Sequence, residues 1–468
     1  MSPASRQQQS TVPRLRTLLR GNVLWLSIVS LLNDTASEMI YPLLPLFLTT
    51  TLGAGAAVLG LIEGIAETTS SFVKLVGGWI SDRVHRRKLL IAWGYGIAVV
   101  VRPLIALASA PWHVLAIRFG DRIGKGIRTA PRDALLAGSV DPDRSGAAFG
   151  LHRAADHLGA VLGPLIATLL LLLLPGHLRL IFALAAIPGA GVVVVVLLKV
   201  REVVAGDGSG ATSADGEAPA PSHHPASGTG GGEAGEPAHA ANQAEAASAG
   251  GRRSSVVDQE GPGVGDAAEP GFRDLGKGYA AYLVVVGLFT LGNASDAFLL
   301  LRARQLGIAV AWIPTLWGVH HVSKMAWNVV GGTLSDRFGS LRAIIAGWVV
   351  YTLTYVGFAF AAAAWHVWAL FIVYGLFYGL TEAPEKALVS RLAPPVLRAR
   401  AFGAYHFAIG LTALPASILF GVLWQAFSPE VAFLFGGGLA LVAAALLAPA
   451  VRRAQLDAAR AAGTASGA

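Results

Sequence analysis

Ionisable side chains stand in this sequence where long apolar runs would otherwise be unbroken. Asp34 and Glu38 are four residues apart inside one such run and so share a helix face. Two carboxylates in a low dielectric repel, and a proton on one relieves the repulsion. That is suitable chemistry for a proton site. Glu63, Glu67 and Lys74 follow at spacings of four and seven, forming one polar stripe. The densest set is Arg118, Asp121, Arg122, Lys125, Arg128, Arg132 and Asp133, all within sixteen residues. Arg118, Arg122 and Lys125 share a face there, with Asp121 beside them. They are expected to pair with the acids of the first two runs, and any surplus positive charge suits an anion. His152 and Asp156, one turn apart with Arg153 and His157 beside them, suit either a proton site or a structural hydrogen bond. Asp296, His320, His321, Lys324, Glu382, Glu385, Lys386 and His406 continue the pattern in the second half.

The runs that carry these residues explain why the charges matter. The chain has 468 residues, 54% of them hydrophobic and 14% charged, against about 25% charged in soluble domains. Mean hydropathy is +0.57. Twelve apolar runs are visible: 21–50, 57–80, 89–110, 112–136, 145–174 and 177–199, then 278–304, 309–334, 341–363, 365–390, 399–426 and 430–451. Each is long enough to cross a bilayer at ~20 residues per helix. An ion at the bilayer centre costs at least ~2.5–3.5 kcal/mol, so each mid-run charge needs a partner, a proton or water. The expected fold is an all-α integral membrane protein. Twelve helices would form two six-helix halves, 21–200 and 278–452, around a central cavity. Residues 1–20 read as a polar arm, 201–277 as a disordered linker rich in Gly, Ala, Ser and Pro, and 453–468 as a tail.

Composition also excludes function classes. Net charge is +8, but Lys and Arg gather between runs, as in cytoplasmic loops of membrane proteins; nucleic acid is not an expected partner. The loop at 83–88 and those holding Arg337, Arg342, Arg391, Arg398 and Arg400 are basic, whereas 53–56, 109–111 and 361–364 hold no Lys or Arg. Both termini and the linker are therefore expected on the cytoplasmic side of a plasma membrane. Cysteine is absent and Met occurs three times. No His-Glu-x-x-His pair and no Gly-x-x-x-x-Gly-Lys-Ser/Thr loop occurs. No catalytic residue, metal or cofactor is expected, and the chain does not read as an enzyme.

The two halves echo each other. Gly77-Gly78-Trp79-Ile80-Ser81-Asp82-Arg83 recurs as Gly331-Gly332-Thr333-Leu334-Ser335-Asp336-Arg337, and Ala36-Ser37-Glu38 as Ala294-Ser295-Asp296. Ala130-Pro131 recurs as Ala383-Pro384, and Ala148-Phe149-Gly150 as Ala401-Phe402-Gly403. Four echoes in register imply one fold repeated, with a binding site between the repeats.

Six plus six runs with Gly78-x-x-x-Asp82-Arg83-x-x-Arg86-Arg87-Lys88 after the second resembles the major facilitator superfamily. The resemblance implies that Gly78, Asp82, Arg83 and Arg87, with Asp336 and Arg337 in the echo, latch one conformational state. Gly159-x-x-x-Gly163-Pro164 in the fifth run is similar to that family's antiporter motif, with Ala167 and Thr168 where the motif ends in Gly-Gly. In the fourth run Gly120 stands where this branch carries an Arg, before Gly124 and Gly126. The resemblance implies a secondary transporter. The first expectation is proton-coupled efflux of a small organic molecule, with Glu38, Asp34 and Asp296 carrying protons or substrate charge and Arg122 and Lys125 pairing with them. The alternative is proton-coupled uptake of an anionic metabolite or metal chelate, and a third reading is a receptor or scaffold on the same fold. The expected partners are the substrate, protons and the lipid bilayer, and the expected state is a monomer.

Overall fold

The computed structural model describes residues 20–83, 86–140, 145–202, 275–393 and 397–465. The arm at 1–19, the bulk of the linker at 203–274 and the last residues of the tail lie outside the described residues. The described chain is helical. In the first half α1 is Gly21–Thr51, α2 Ala56–Arg83, α3 Arg87–Leu107, α4 Pro111–Ala137, α5 Ser145–Leu173 and α6 Leu178–Lys199. In the second half α7 is Gly276–Gln305, α8 Ile313–Phe338, α9 Ser340–Phe360, α10 Ala364–Leu392, α11 Arg398–Ala426 and α12 Pro429–Ala465. The helix α12 runs past the expected boundary at residue 452, because its alanine-rich end favours helix. There Asp457 Oδ2 accepts from the Gly278 backbone N–H at 2.7 Å, satisfying a donor of the first turn of α7.

Ten of these helices are long and apolar enough to cross a membrane on composition alone. Of the other two long ones, α4 holds Arg118 to Asp133 and α8 holds His320, His321 and Lys324, and both pack among the rest. A helix with ions at its centre survives in a bilayer only when those ions face the bundle interior or water.

The packing repeats between halves. In the first, α1 packs on α5 and α6, α2 on α4, and α3 on α4 and α6; in the second, α7 packs on α11 and α12, α8 on α10, and α9 on α10 and α12. Two seams join them, α2 with α11 and α5 with α8, which are equivalent pairs under the repeat. Thr68 Oγ1 donates to Gly410 O at 2.7 Å across the first seam, and the Thr168 and Thr315 hydroxyls lie 2.7 Å apart across the second. We call the face at which α1 begins and α6 ends the basic face and the opposite one the far face. One continuous apolar core unites both halves toward the far face, with Met39, Leu44 and Phe47 of α1 beside Ala297, Phe298 and Leu300 of α7, and runs on through the second half to Tyr279 and Val451. Toward the basic face the first half keeps a core of its own, around Leu26, Tyr95 and Val192.

Helices α1 and α7 change geometry at membrane depth, and α3 tightens to a 3-10 helix over Arg102–Leu107. Pro42 and Pro45 remove backbone donors from α1. The chain tightens to a 3-10 turn at Tyr41–Leu43 and widens to a π turn at Phe47–Thr51. Thr49 and Thr50 hydroxyls donate to the Pro45 and Leu46 carbonyls at 2.9 and 2.7 Å. The helix α7 leaves helical geometry after Gly292 and resumes at Ala297. Tyr351 OH donates to the Gly292 carbonyl at that break, at 3.0 Å. The sequence predicts one spanning run over 278–304 and marks no interruption within it.

Candidate functional site

A cavity of about 440 Å³ lies between the halves. Asp34 and Glu38 of α1, Glu63 and Glu67 of α2, Arg122 and Lys125 of α4, and Asp296 at the break in α7 all line it. A second lobe of about 400 Å³ shares Glu67, Thr290, Asn293 and Tyr378 with the first and adds Lys324, Glu382 and Glu385. Discontinuous helices lining a midplane site are a recurring device of transporter folds. Here Asn293, Ala294 and Ser295 of the break are part of the wall.

Close helix approach positions the acids of α1. A methyl group on Gly163 would lie 2.6 Å from the Thr35 carbonyl oxygen and 2.9 Å from Glu38 Cβ, and one on Gly159 would meet the Leu31 carbonyl oxygen. Only glycine lets α5 come this near. Pro164 follows at the seam, where a methyl on Gly318 of α8 would touch its ring at 3.5 Å.

Several charges are neutralised by partners from another helix. Arg118 Nη2 donates to both Glu63 oxygens at 3.0 and 2.9 Å, and the Ser295 hydroxyl reaches Glu63 Oε2 from the other half at 3.4 Å. Arg102 Nε donates to Asp121 Oδ1 at 2.7 Å, and its Nη1 to Asn33 Oδ1 at 3.0 Å. Arg128 caps this group, with one nitrogen 3.4 Å from Asn33 Oδ1 and its guanidinium 4.5 Å over the Tyr95 ring. Arg118 and Asp121 thus stand behind the main cavity wall. Sequence reasoning missed Arg102, Asn33 and Tyr41; an Arg-Pro step deep in the third run was the available signal for the first.

The expected pairing of Arg122 and Lys125 with Glu38, Asp34 and Asp296 differs from what is found. Arg122 Nη1 is 3.9 Å from Asp121 Oδ2 and its buried Nε has no hydrogen-bond partner. Among the described residues no carboxylate oxygen lies within 4.0 Å of Lys125 Nζ. Asp121 is already held by Arg102, and Glu63 by Arg118, so the two cations are left facing the cavity. The acids find neutral donors instead. Asp34 Oδ1 accepts from Asn33 Nδ2 at 2.9 Å. Glu38 Oε2 accepts from Trp317 Nε1 of α8 at 2.8 Å, a bond that crosses between halves. Asp296 accepts from the Tyr374 and Tyr378 hydroxyls at 2.7 and 2.9 Å.

The remaining candidates separate by place. Lys324 Nζ sits 3.5 Å from Glu382 Oε2 and 4.0 Å over the Tyr378 ring. Glu382 also meets Lys386 at 3.7 Å and, across the halves, Arg153 at 3.7 Å. Exposure rises toward this end: the Arg153 side chain is 57% exposed, against 6% for Glu63. His152 and Asp156 lie off the cavity, between α5 and α1; Ser30 Oγ donates to Asp156, and His152 Nδ1 is 3.7 Å from it. His320 is buried with Nδ1 3.1 Å from the Phe371 carbonyl oxygen. His406 is exposed and lines neither lobe. Gly78, Asp82 and Arg83 fall in the last two turns of α2 and Asp336 in the last turn of α8, but the side chains of Asp82, Arg83 and Asp336 lie outside the described residues. The Arg87 and Lys88 backbone N–H groups donate to the Glu202 carboxylate at 3.0 and 2.9 Å, and Arg337 is exposed beside Phe338. Among the described residues no three His, Asp or Glu side chains are grouped to hold a metal ion.

Twelve helices in two equivalent halves, with a polar cavity between them, define a membrane transporter fold. The family model for the Major Facilitator Superfamily matches residues 26–381 and 281–466, and the chain belongs to that family of multi-pass membrane transporters. It is 31% identical over 435 residues to the uncharacterized MFS-type transporter MJ1317 of Methanocaldococcus jannaschii, covering 92% of this chain and 94% of that one. A shorter match, 28% identical over 152 residues, joins 32% of this chain to 38% of the multidrug resistance protein MdtH of Edwardsiella ictaluri. Among solved structures, the nucleoside transporter NupG aligns with a TM-score of 0.68 at 14% identity, over 92% of this chain and 99% of that one. This last likeness concerns the fold alone.

Proposed function

We propose that this protein is a proton-coupled antiporter exporting a small polar molecule, with Glu38 as the proton site. The observation that carries the reading is the Glu38–Trp317 hydrogen bond, a carboxylate of the first half held by an indole of the second at 2.8 Å. A proton on Glu38 removes the negative charge that strengthens this bond. Its loading therefore alters a contact between the two bodies that must move. A ligand drives a conformational change only through such differential interaction. The close packing of Gly159 against Asp34 and of Gly163 against Glu38 and the partial likeness to MdtH support export. The basic loops support termini in the cytoplasm of a plasma membrane, and on that reading the cavity loads from inside.

The substrate need not be greasy, because charged and hydroxyl-bearing side chains of both halves dominate the wall. The second reading, uptake of an organic anion, is favoured by Arg122 and Lys125 facing the cavity. The test is dye-reported proton movement in everted vesicles challenged with cationic, neutral and anionic compounds. Wild type should release protons with one class, and Glu38→Gln with none. Unchanged coupled flux in Glu38→Gln sinks the proposed proton site, and counterflow direction separates export from uptake.

A further inference from the structure

The Glu38 carboxylate has a second neighbour that the cavity does not explain. His321 stands one turn after Trp317 on α8, its ring edge-on to the indole at 5.0 Å between centroids. Its Nε2 is 3.9 Å from Glu38 Oε2, the same oxygen that accepts from Trp317. That Nε2 is buried and has no hydrogen-bond partner. A buried polar atom without a partner costs free energy unless something uses it. Here it is aimed at a carboxylate across a gap that one small side-chain rotation or one water molecule closes.

Competing groups are already engaged. His320 uses Nδ1 on the Phe371 carbonyl, and Lys324 is held by Glu382 and the Tyr378 ring. The position of His321 along the seam adds a direction. Gly318 of α8 is level with Pro164 of α5. The two helices run oppositely, so His157, seven residues before Pro164, lies ~10 Å toward the basic face at 1.5 Å per residue. His321, three residues after Gly318, lies ~4.5 Å that way on the same rise. Beyond His157, one turn earlier on α5, comes Arg153 with its bond to Glu382 at the exposed end. Neither His321 nor His157 lines either lobe of the cavity.

We propose that His321 loads and unloads the proton on Glu38, along the α5–α8 seam and past His157, by a route separate from that of the substrate. This rests on the reading of Glu38 as the proton site. In unloading, the O–H bond on Glu38 Oε2 breaks as an N–H bond forms on His321 Nε2. The imidazolium then gives a proton to water on the basic side and is left neutral, and loading is the same path reversed. The groups facing His321 are His320 and Lys324 on α8, His157 on α5 and Glu38 on α1; Asp34 acts on Glu38, and Glu382 on Lys324.

Trp317 reports the event without any substrate, because its indole is bonded to the carboxylate that titrates. The full chain in lipid nanodiscs is stepped in pH by stopped flow, and the tryptophan signal of Trp317→Phe is subtracted. The wild type should show a fluorescence change that Glu38→Gln abolishes. In His321→Gln and His321→Asn the amplitude should persist while its rate falls at least tenfold, and imidazole in the buffer should restore the rate. A rate within twofold of wild type in either well-folded variant overturns the relay. A Trp317 signal that survives Glu38→Gln overturns the Glu38 reading instead, and the relay with it.

Discussion

Glu63 and Arg118 illustrate what residue identity achieves in this membrane protein. Each alone would be a charge in a low dielectric; together, with side chains 6% and 8% exposed, they neutralise one another. Breaking a buried pair by deleting one partner costs about 3–5 kcal/mol, whereas replacing both with apolar groups is often neutral. Arg118→Ala should therefore destabilise the fold by about 3–5 kcal/mol and lower the melting temperature in detergent, and Arg118→Met combined with Glu63→Met should recover most of the loss. Differential scanning fluorimetry reads both. Arg122 behaves otherwise. It has the same charge one turn away but only a 3.9 Å approach to an already engaged Asp121. Arg122→Gln should leave stability close to wild type and weaken transport, a contrast that melting curves and flux together would check.

At the scale of elements, glycine spacing sets how near α5 comes to α1. Gly163→Val would drive side-chain carbons into the Thr35 carbonyl and Glu38 Cβ. Helices in a bilayer associate through close contact of small residues, so α1 must move away and carry Glu38 off Trp317. We expect lost coupled flux and a lower melting temperature. Gly150→Ala, on the same helix and with open space around it, should change neither. The bent α1 and the broken α7 belong to this scale too. Pro42 and Pro45 announced the first. Nothing in the composition of Leu291-Gly292-Asn293-Ala294 marks an interruption, beyond one glycine and one asparagine. It persists because Tyr351 and the turn at Thr290 satisfy the freed backbone groups.

For the whole molecule, the continuous apolar core toward the far face must part if the cavity is to open there. The absence of cysteine makes this directly testable. Gly55 and Gln425 are in contact across the halves near that face, with the Gln425 side chain bonded to the Ala57 backbone N–H at 3.2 Å. A disulfide between Gly55→Cys and Gln425→Cys should stop flux, and reduction should restore it. Flux that continues with the bond quantitatively formed would mean that the two halves need not separate there.

Much was legible before any coordinates. Apolar runs and their basic loops determine how many helices form, because a bilayer demands ~20 residues per crossing and no unpaired ions at its centre. The echo of Ala36-Ser37-Glu38 in Ala294-Ser295-Asp296 pointed to two equivalent halves, and both acids do line the cavity. What one sequence could not decide was partnership. Ion pairs and hydrogen bonds act over a few ångströms between helices far apart in the chain. Which acid meets Arg118, why Arg122 and Lys125 are left facing the cavity, and why an indole and an imidazole of α8 flank Glu38 were settled only by how two six-helix halves pack along their seams.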